Sequence, residues 1–275
     1  MKQRSVIGLI AVIAVSLAAS HSTLADRQSK GTDAQIALYY SNDSAPSFGI
    51  DAVNKSLMSV GVRVSKVEIP TEAVPILEAS KVRAVTAAEA SQLISHFDLG
   101  RRELLNEITN AGRAPEMHRG GYLQTSEEGL APYPKVYDMM ALDHETTVSL
   151  QHKFGRLHVN SSEAGVGIDE VMTIVSGGPY TWFFVFANGS VGKLRFGEVL
   201  EGGTAWRISY PGLVPHGGYF DAPNGLVVAY AHGPRHFVMR YDDRSVEGFE
   251  TLGDNPWIEF SVPEPELLEE PKRAY

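Results

Sequence analysis

The hydrophobic pattern of the chain changes character near Arg113. Before it, apolar residues recur at helical spacing between short β-rich runs. Ile36 to Tyr40 reads as a buried strand, and Ser41 to Pro46 as a loop with helix-start chemistry. Ile50, Val53, Leu57 and Met58 share one helical face, and Gly61 ends that helix. Val62, Val64, Val67 and Ile69 return as a strand before Pro70, which completes a modest β-α-β unit. Thr86 and Glu89 are spaced as a capping box, in which each side chain satisfies a backbone N–H at the helix start. Leu93, Ile94 and Phe97 give that helix its apolar face. Asp98 opens a further helix carrying Leu99, Leu104, Leu105 and Ile108, closed by Asn110 to Gly112. Residues 34–113 are therefore predicted to be a small α/β segment. It has no glycine-rich phosphate loop and no catalytic cluster, and it reads as a packing or partner-contact unit.

After Arg113 glycine and proline become frequent and short β-rich runs take over. Val171–Val175, Tyr180–Phe186, Val191–Phe196, Thr204–Tyr210, Gly225–Ala231 and His236–Tyr241 are predicted strands. Glycine-containing turns separate several of them, and Asn188-Gly189 is a hairpin signal. Short strands in this rhythm predict a β-sandwich or barrel over residues 114–262. The aromatic run Tyr180, Trp182, Phe183, Phe184 and Phe186 reads as an inner strand buried on both faces rather than a stacking wall for a ligand. From Pro263 the chain is acidic and proline-containing, the pattern of a solvated tail over residues 263–275.

The ends and the charge narrow the function. Lys2 and Arg4 precede an apolar run, Val6 to Ala19, and Thr23-Leu24-Ala25 offers small residues for cleavage. Residues 1–25 thus read as a secretory signal peptide and predict a periplasmic or secreted protein with no stable membrane anchor. The apolar run is too short to span the roughly 30 Å hydrocarbon core as a helix. The 275 residues carry a formal net charge of −9, which argues against nucleic acid as a partner. There is no cysteine, which excludes disulfides, thiolate nucleophiles and iron–sulfur clusters. Any metal would need His, carboxylate or amide ligands.

Two stretches of the β-rich half carry a family likeness. In the first, His158-Val159-Asn160 is followed by Glu170, with Gly177 seven residues further on. In the second, Pro215-His216-Gly217 is followed by Phe220 and Asn224. Over about residues 115–245 the chain resembles the cupin superfamily, and within it a poorly characterised subfamily with an early Gly-Gly-Tyr segment, here Gly120-Gly121-Tyr122. The resemblance implies a double-stranded β-helix, or jelly roll; with the small N-terminal segment, which it does not cover, the chain is expected to be α+β. The resemblance also implies a homodimer and a divalent metal held by histidines and a glutamate. The sequence departs from that pattern. Asn160 stands where the second histidine of the first motif belongs, the spacing to Glu170 is long, and Phe220 takes the place of the last histidine.

His158 and Glu170 are the candidate catalytic residues, as an acid–base couple in mutual contact or as the core of an incomplete metal site. A carboxylate facing a barrel interior needs such a partner. Asn160, Arg207, His216 and Tyr219 are the candidate ligand-binding residues. Arg207 would clamp an anion if it pointed inward, and His216 reads as a loop imidazole at the pocket rim or an exposed turn residue. His118, beside Gly120-Gly121-Tyr122, would serve as a lid, and His232 and His236 flank a turn. The expected activity is isomerase, epimerase or lyase chemistry on a small polar organic substrate. The alternative is a non-catalytic small-molecule-binding or structural module.

Overall fold

The computed structural model describes residues 35–112, 121–122, 133–199, 202–234 and 236–272. The proposed signal peptide, the start of the chain to Asp33 and His118 lie outside them. No helix among the described residues is long and apolar enough to cross a membrane. The chain begins with β1 (Ile36–Tyr40), β2 (Ser47–Phe48), α1 (Ile50–Leu57), β3 (Arg63–Val67), α2 (Val74–Ala79), α3 (Ala87–His96) and α4 (Arg101–Asn110). It continues through β4 (Gly121–Tyr122), β5 (Lys135–Asp138), α5 (His144–Gly155), β6 (Val159–Ser161), β7 (Asp169–Gly177), β8 (Tyr180–Val185) and β9 (Val191–Phe196). Then follow β10 (Ala205–Tyr210), β11 (His216–Tyr219), β12 (Gly225–Gly233), β13 (Val238–Arg240), β14 (Ile258–Glu259) and β15 (Glu266–Leu267).

One sheet runs β11-β8-β9-β1-β2 and the other β3-β10-β7-β12-β4, with β5 also paired to β12. The pairings are antiparallel. Alternation decides which side chains meet between the sheets, because successive residues of a strand face opposite ways. Leu38, Trp182, Phe184, Leu194 and Phe196 come from the first sheet; Met172, Ile174, Trp206, Ile208 and Tyr210 come from the second. The odd-numbered partners on β7 and the even-numbered ones at Leu226, Val228 and Tyr230 form an outer face. Ile76, Leu77, Leu93 and Phe97 of the helices cover it.

The two longer strands of the N-terminal segment do not pair with each other. β1 lies beside β9 in the first sheet and β3 beside β10 in the second. The predicted capping box is formed: Thr86 Oγ1 accepts from Glu89 N–H, and Glu89 accepts from the Thr86 N–H. The side chains of Leu104, Leu105 and Ile108 lie outside the described set. The tail corrects the expectation of a solvated extension. β15 pairs with β14, and buried Lys193 donates to the carbonyls of Leu268 (2.9 Å) and Glu269 (3.2 Å) while lying over the Trp257 ring. An ammonium that satisfies two carbonyls on a tryptophan face fastens the tail to β9.

Close backbone packing ties the sandwich to the residues of the cavity. Asn160 N–H donates to Gly212 O, Ile168 N–H donates to Asn160 O, and Gly212 N–H donates to Asp169 Oδ1. A Cβ at Gly212 would collide with the carbonyl oxygens of Asn160 and Ile168. Gly212→Ala is therefore expected to cost about 2–3 kcal/mol in urea unfolding. A loss below about 0.5 kcal/mol, the range of a neutral surface change, would contradict this account.

Candidate active site

A cavity of about 520 Å³ lies between α5, β5 and the inner faces of the sandwich. β5 and α5 wall one side of it, and β11 and the inward faces of β7, β8 and β10 the other. Its walls are mainly apolar and aromatic, including Tyr137, Phe154, Trp182, Phe220 and Phe237. Among the polar exceptions, Tyr133, Asn160 and His216 gather on Glu170.

Strand alternation puts Glu170 inside: it is two residues before Met172 and four before Ile174, both inward-facing. The β10–β7 register places Tyr210 directly opposite Glu170. Tyr133 Oη donates a hydrogen bond to Glu170 Oε1. Asn160 Nδ2 donates to Glu170 Oε2 at 2.7 Å and to His216 Nε2 at 2.9 Å. The amide is thus a bridge between carboxylate and imidazole, which lie 3.6 Å apart. Its orientation follows from chemistry, since both neighbours are acceptors and only the –NH2 end can donate to them. Asn160 Oδ1 is left buried without a hydrogen-bond partner among the described residues.

The two histidines are held in matching fashion. His158 and His216 face each other across an antiparallel bridge, each N–H donating to the other's carbonyl at 2.8 and 2.9 Å. Directly opposed residues present their side chains on one face, and the two rings lie 4.7 Å apart. Each Nδ1 sits 2.7 Å from the carbonyl oxygen two residues earlier, Arg156 for His158 and Val214 for His216. A carbonyl only accepts, so Nδ1 carries the proton, and in the neutral ring Nε2 keeps its lone pair. Burial, and then the neighbouring His216, holds the His158 pKa well below the usual imidazole range. Burial and the nearby Glu170 charge push Tyr133 and Tyr210 well above the usual phenol range. The same two causes push Tyr137 up to about 12. All three phenols stay protonated donors near neutral pH.

Of the residues expected from sequence, His158, Asn160, Glu170, His216 and Tyr219 all line this cavity. His158, Asn160, Glu170 and His216 are each no more than 4% exposed. His216 is not an exposed turn residue but a buried member of β11, because the Pro215 segment re-enters the sheet beside β8. Glu170 takes Tyr133, Asn160 and His216 as neighbours in place of the expected contact with His158. Tyr219 donates to the Pro265 carbonyl at 2.6 Å, so its hydroxyl holds the tail. Arg207 corrects its expectation. Trp206 and Ile208 flank it and face the core, so Arg207 faces outward. There it donates to Thr173 and lies 3.9 Å from Glu107. Sequence reasoning missed Tyr133, Tyr137 and Tyr210. Tyr210 carried a signal, the alternation Trp206-Ile208-Tyr210; Tyr133, between two prolines, carried none.

The divalent metal implied by the resemblance can be tested on the donor set. Two imidazole Nε2 atoms, a carboxylate and an amide oxygen are suitable ligand types. Their positions are not suitable. Among the described residues no three His, Asp or Glu side chains are grouped to hold one ion. The protons of the Asn160 amide occupy the space between His216 and Glu170, and an amide N–H cannot ligate a cation. As arranged, these residues do not fit a metal.

No family model matches the chain, and no curated protein matches it. Among solved structures, the acireductone dioxygenase from Bacillus anthracis, with a cadmium ion in its active centre, is similar over 76% of this chain and 99% of its own. The identity is 15% and the TM-score 0.50. At that identity the likeness concerns the fold alone, and it agrees with the antiparallel two-sheet architecture: the β-rich part of the chain has a cupin-like fold.

Proposed function

We propose that the chain is an acid–base enzyme that moves a proton on carbon next to a carbonyl, in the isomerase, epimerase or lyase class. One observation carries this reading. The buried Tyr133–Glu170–Asn160–His216 chain forms part of the wall of a cavity that can enclose a small organic molecule. Glu170 is the proton acceptor, with its charge held by donors on both oxygens. Tyr210, opposite Glu170 across the β10–β7 register, is a high-pKa phenol able to donate to the oxyanion that forms as the proton leaves, while the Tyr133 proton stays on Glu170. Neutral His158, with a free Nε2 lone pair, is the second proton carrier. The unpaired Asn160 Oδ1 awaits a donor on the substrate, since a buried orphan acceptor costs about 1–3 kcal/mol. The aromatic walls favour a substrate with an apolar body and a few polar groups, rather than one polar throughout.

The reading is tested by proton NMR in deuterium oxide, following loss of the α-proton signal across a panel of 2-oxo acids, β-keto acids and hydroxy ketones. Exchange with at least one class is expected, and Glu170→Gln should slow it by about 10²- to 10⁴-fold. Dialysis against a chelator should leave the rate unchanged. A rate lost on chelation and restored by a divalent ion would sink the metal-free mechanism. Binding without exchange throughout the panel would favour the non-catalytic module.

The state of His158 gives an independent check. Its folded pKa lies below the unfolded value of about 6.5. The unfolded chain therefore takes up this proton first, and stability falls as pH drops below about 6.5 toward the folded value. His158→Asn should reduce the slope of stability against pH by up to one proton in that window. An unchanged slope, or a His158 nitrogen spectrum showing both ring nitrogens protonated at pH 6, would contradict a neutral ring.

A further inference from the structure

Two ammonium groups stand at the edge of the same cavity. Lys135 lies on β5 and Lys153 in the last turn of α5, and both line the cavity. Lys135 Nζ is 4.6 Å from the Tyr137 ring centre, and Lys153 Nζ is 5.4 Å from the Phe154 ring centre. Those two rings touch edge to face, 6.3 Å between centres, and Phe220 packs on both at 6.1 and 6.0 Å. The ring cluster thus brings the two cations to one side of the cavity. Neither lysine has an ion-pair partner among the described residues. The carboxylates lining the cavity are already engaged. Asp138 accepts the Val85 and Met140 N–H groups, and Glu170 is bound by Tyr133 and Asn160. Burial, and then repulsion from Lys153, lowers the Lys135 pKa. An anion between the lysines would relieve that repulsion.

We propose that the cavity takes a small organic carboxylate, its anionic group held between Lys135 and Lys153 and its apolar body laid on the Tyr137, Phe154 and Phe220 rings. This deepens the functional reading above and rests on the cavity's being a small-molecule site. It narrows the substrate class to oxo or hydroxy acids and their relatives. It also gives a negatively charged protein a local cationic feature at the cavity's edge.

The test uses phenylacetate and its neutral isostere phenylacetamide as probes, with affinities measured by titration calorimetry at low salt. The acid should bind wild-type protein about tenfold more tightly than the amide, the scale expected of two partly exposed charge pairs. The Lys135→Gln/Lys153→Gln double variant should bind both equally, with amide affinity unchanged. In about 1 M salt the wild-type preference should shrink, because exposed charges are screened. Equal wild-type affinities, or a preference that survives in the double variant, would overturn the anion site while leaving the cavity reading intact. Failure of both probes to bind would overturn the two together.

Discussion

The Asn160 side chain joins a carboxylate and an imidazole that otherwise have no direct hydrogen bond. Glu170 Oε2 and His216 Nε2 are 3.6 Å apart, beyond hydrogen-bond range, and the amide gives one proton to each. Without it Glu170 would be a charged group on an inner sheet face with Tyr133 as its main donor, which is costly in a poorly hydrated interior. The bridge holds only because the Asn160 backbone is fixed against Gly212 and Ile168. That fixing in turn requires a glycine where the two segments cross. Much of the cavity's chemistry therefore depends on one amide and one close backbone approach.

The same bridge sets what the cavity can do. It supplies two hydrogen-bond protons where a metal site would supply a cation, so charge on Glu170 is compensated by neutral donors. The surrounding phenols Tyr133 and Tyr210 are held as donors by burial. The paired histidines, with both Nδ1 protons given to backbone carbonyls, turn their other nitrogens away from those carbonyls. Basic atoms and donors thus share a space whose remaining walls are mostly apolar.

Much of the fold was legible because it rests on local rules. The strands at 171–175, 180–186, 191–196 and 204–210 lie within two residues of the observed ones, since short β-branched and aromatic runs mark strands buried on both faces. The capping box formed as its spacing predicts. α5 was not foreseen. Its apolar positions, Val148, Leu150 and Phe154, are sparse, and its start relies on the Asp143 side chain accepting the Thr146 N–H. The tail misled because its acidic composition suggests solvation, while the Lys193 and Tyr219 side chains that hold it lie over 40 residues away.

The sequence by itself determined the β-rich character of the second half and the lack of cysteine chemistry, whereas the inward face of Glu170 needed the structure, because its strand is buried on both faces. The sequence also placed His158 and Asn160 among the candidates. Tertiary structure decided that His216 joins them, that Arg207 does not, and that Tyr133 and Tyr210 close the set. The reason is register. Side-chain direction along one strand follows from a period of two, but which residues meet across strands depends on pairing partners 56 positions apart in the case of Asn160 and His216. No local pattern encodes that distance.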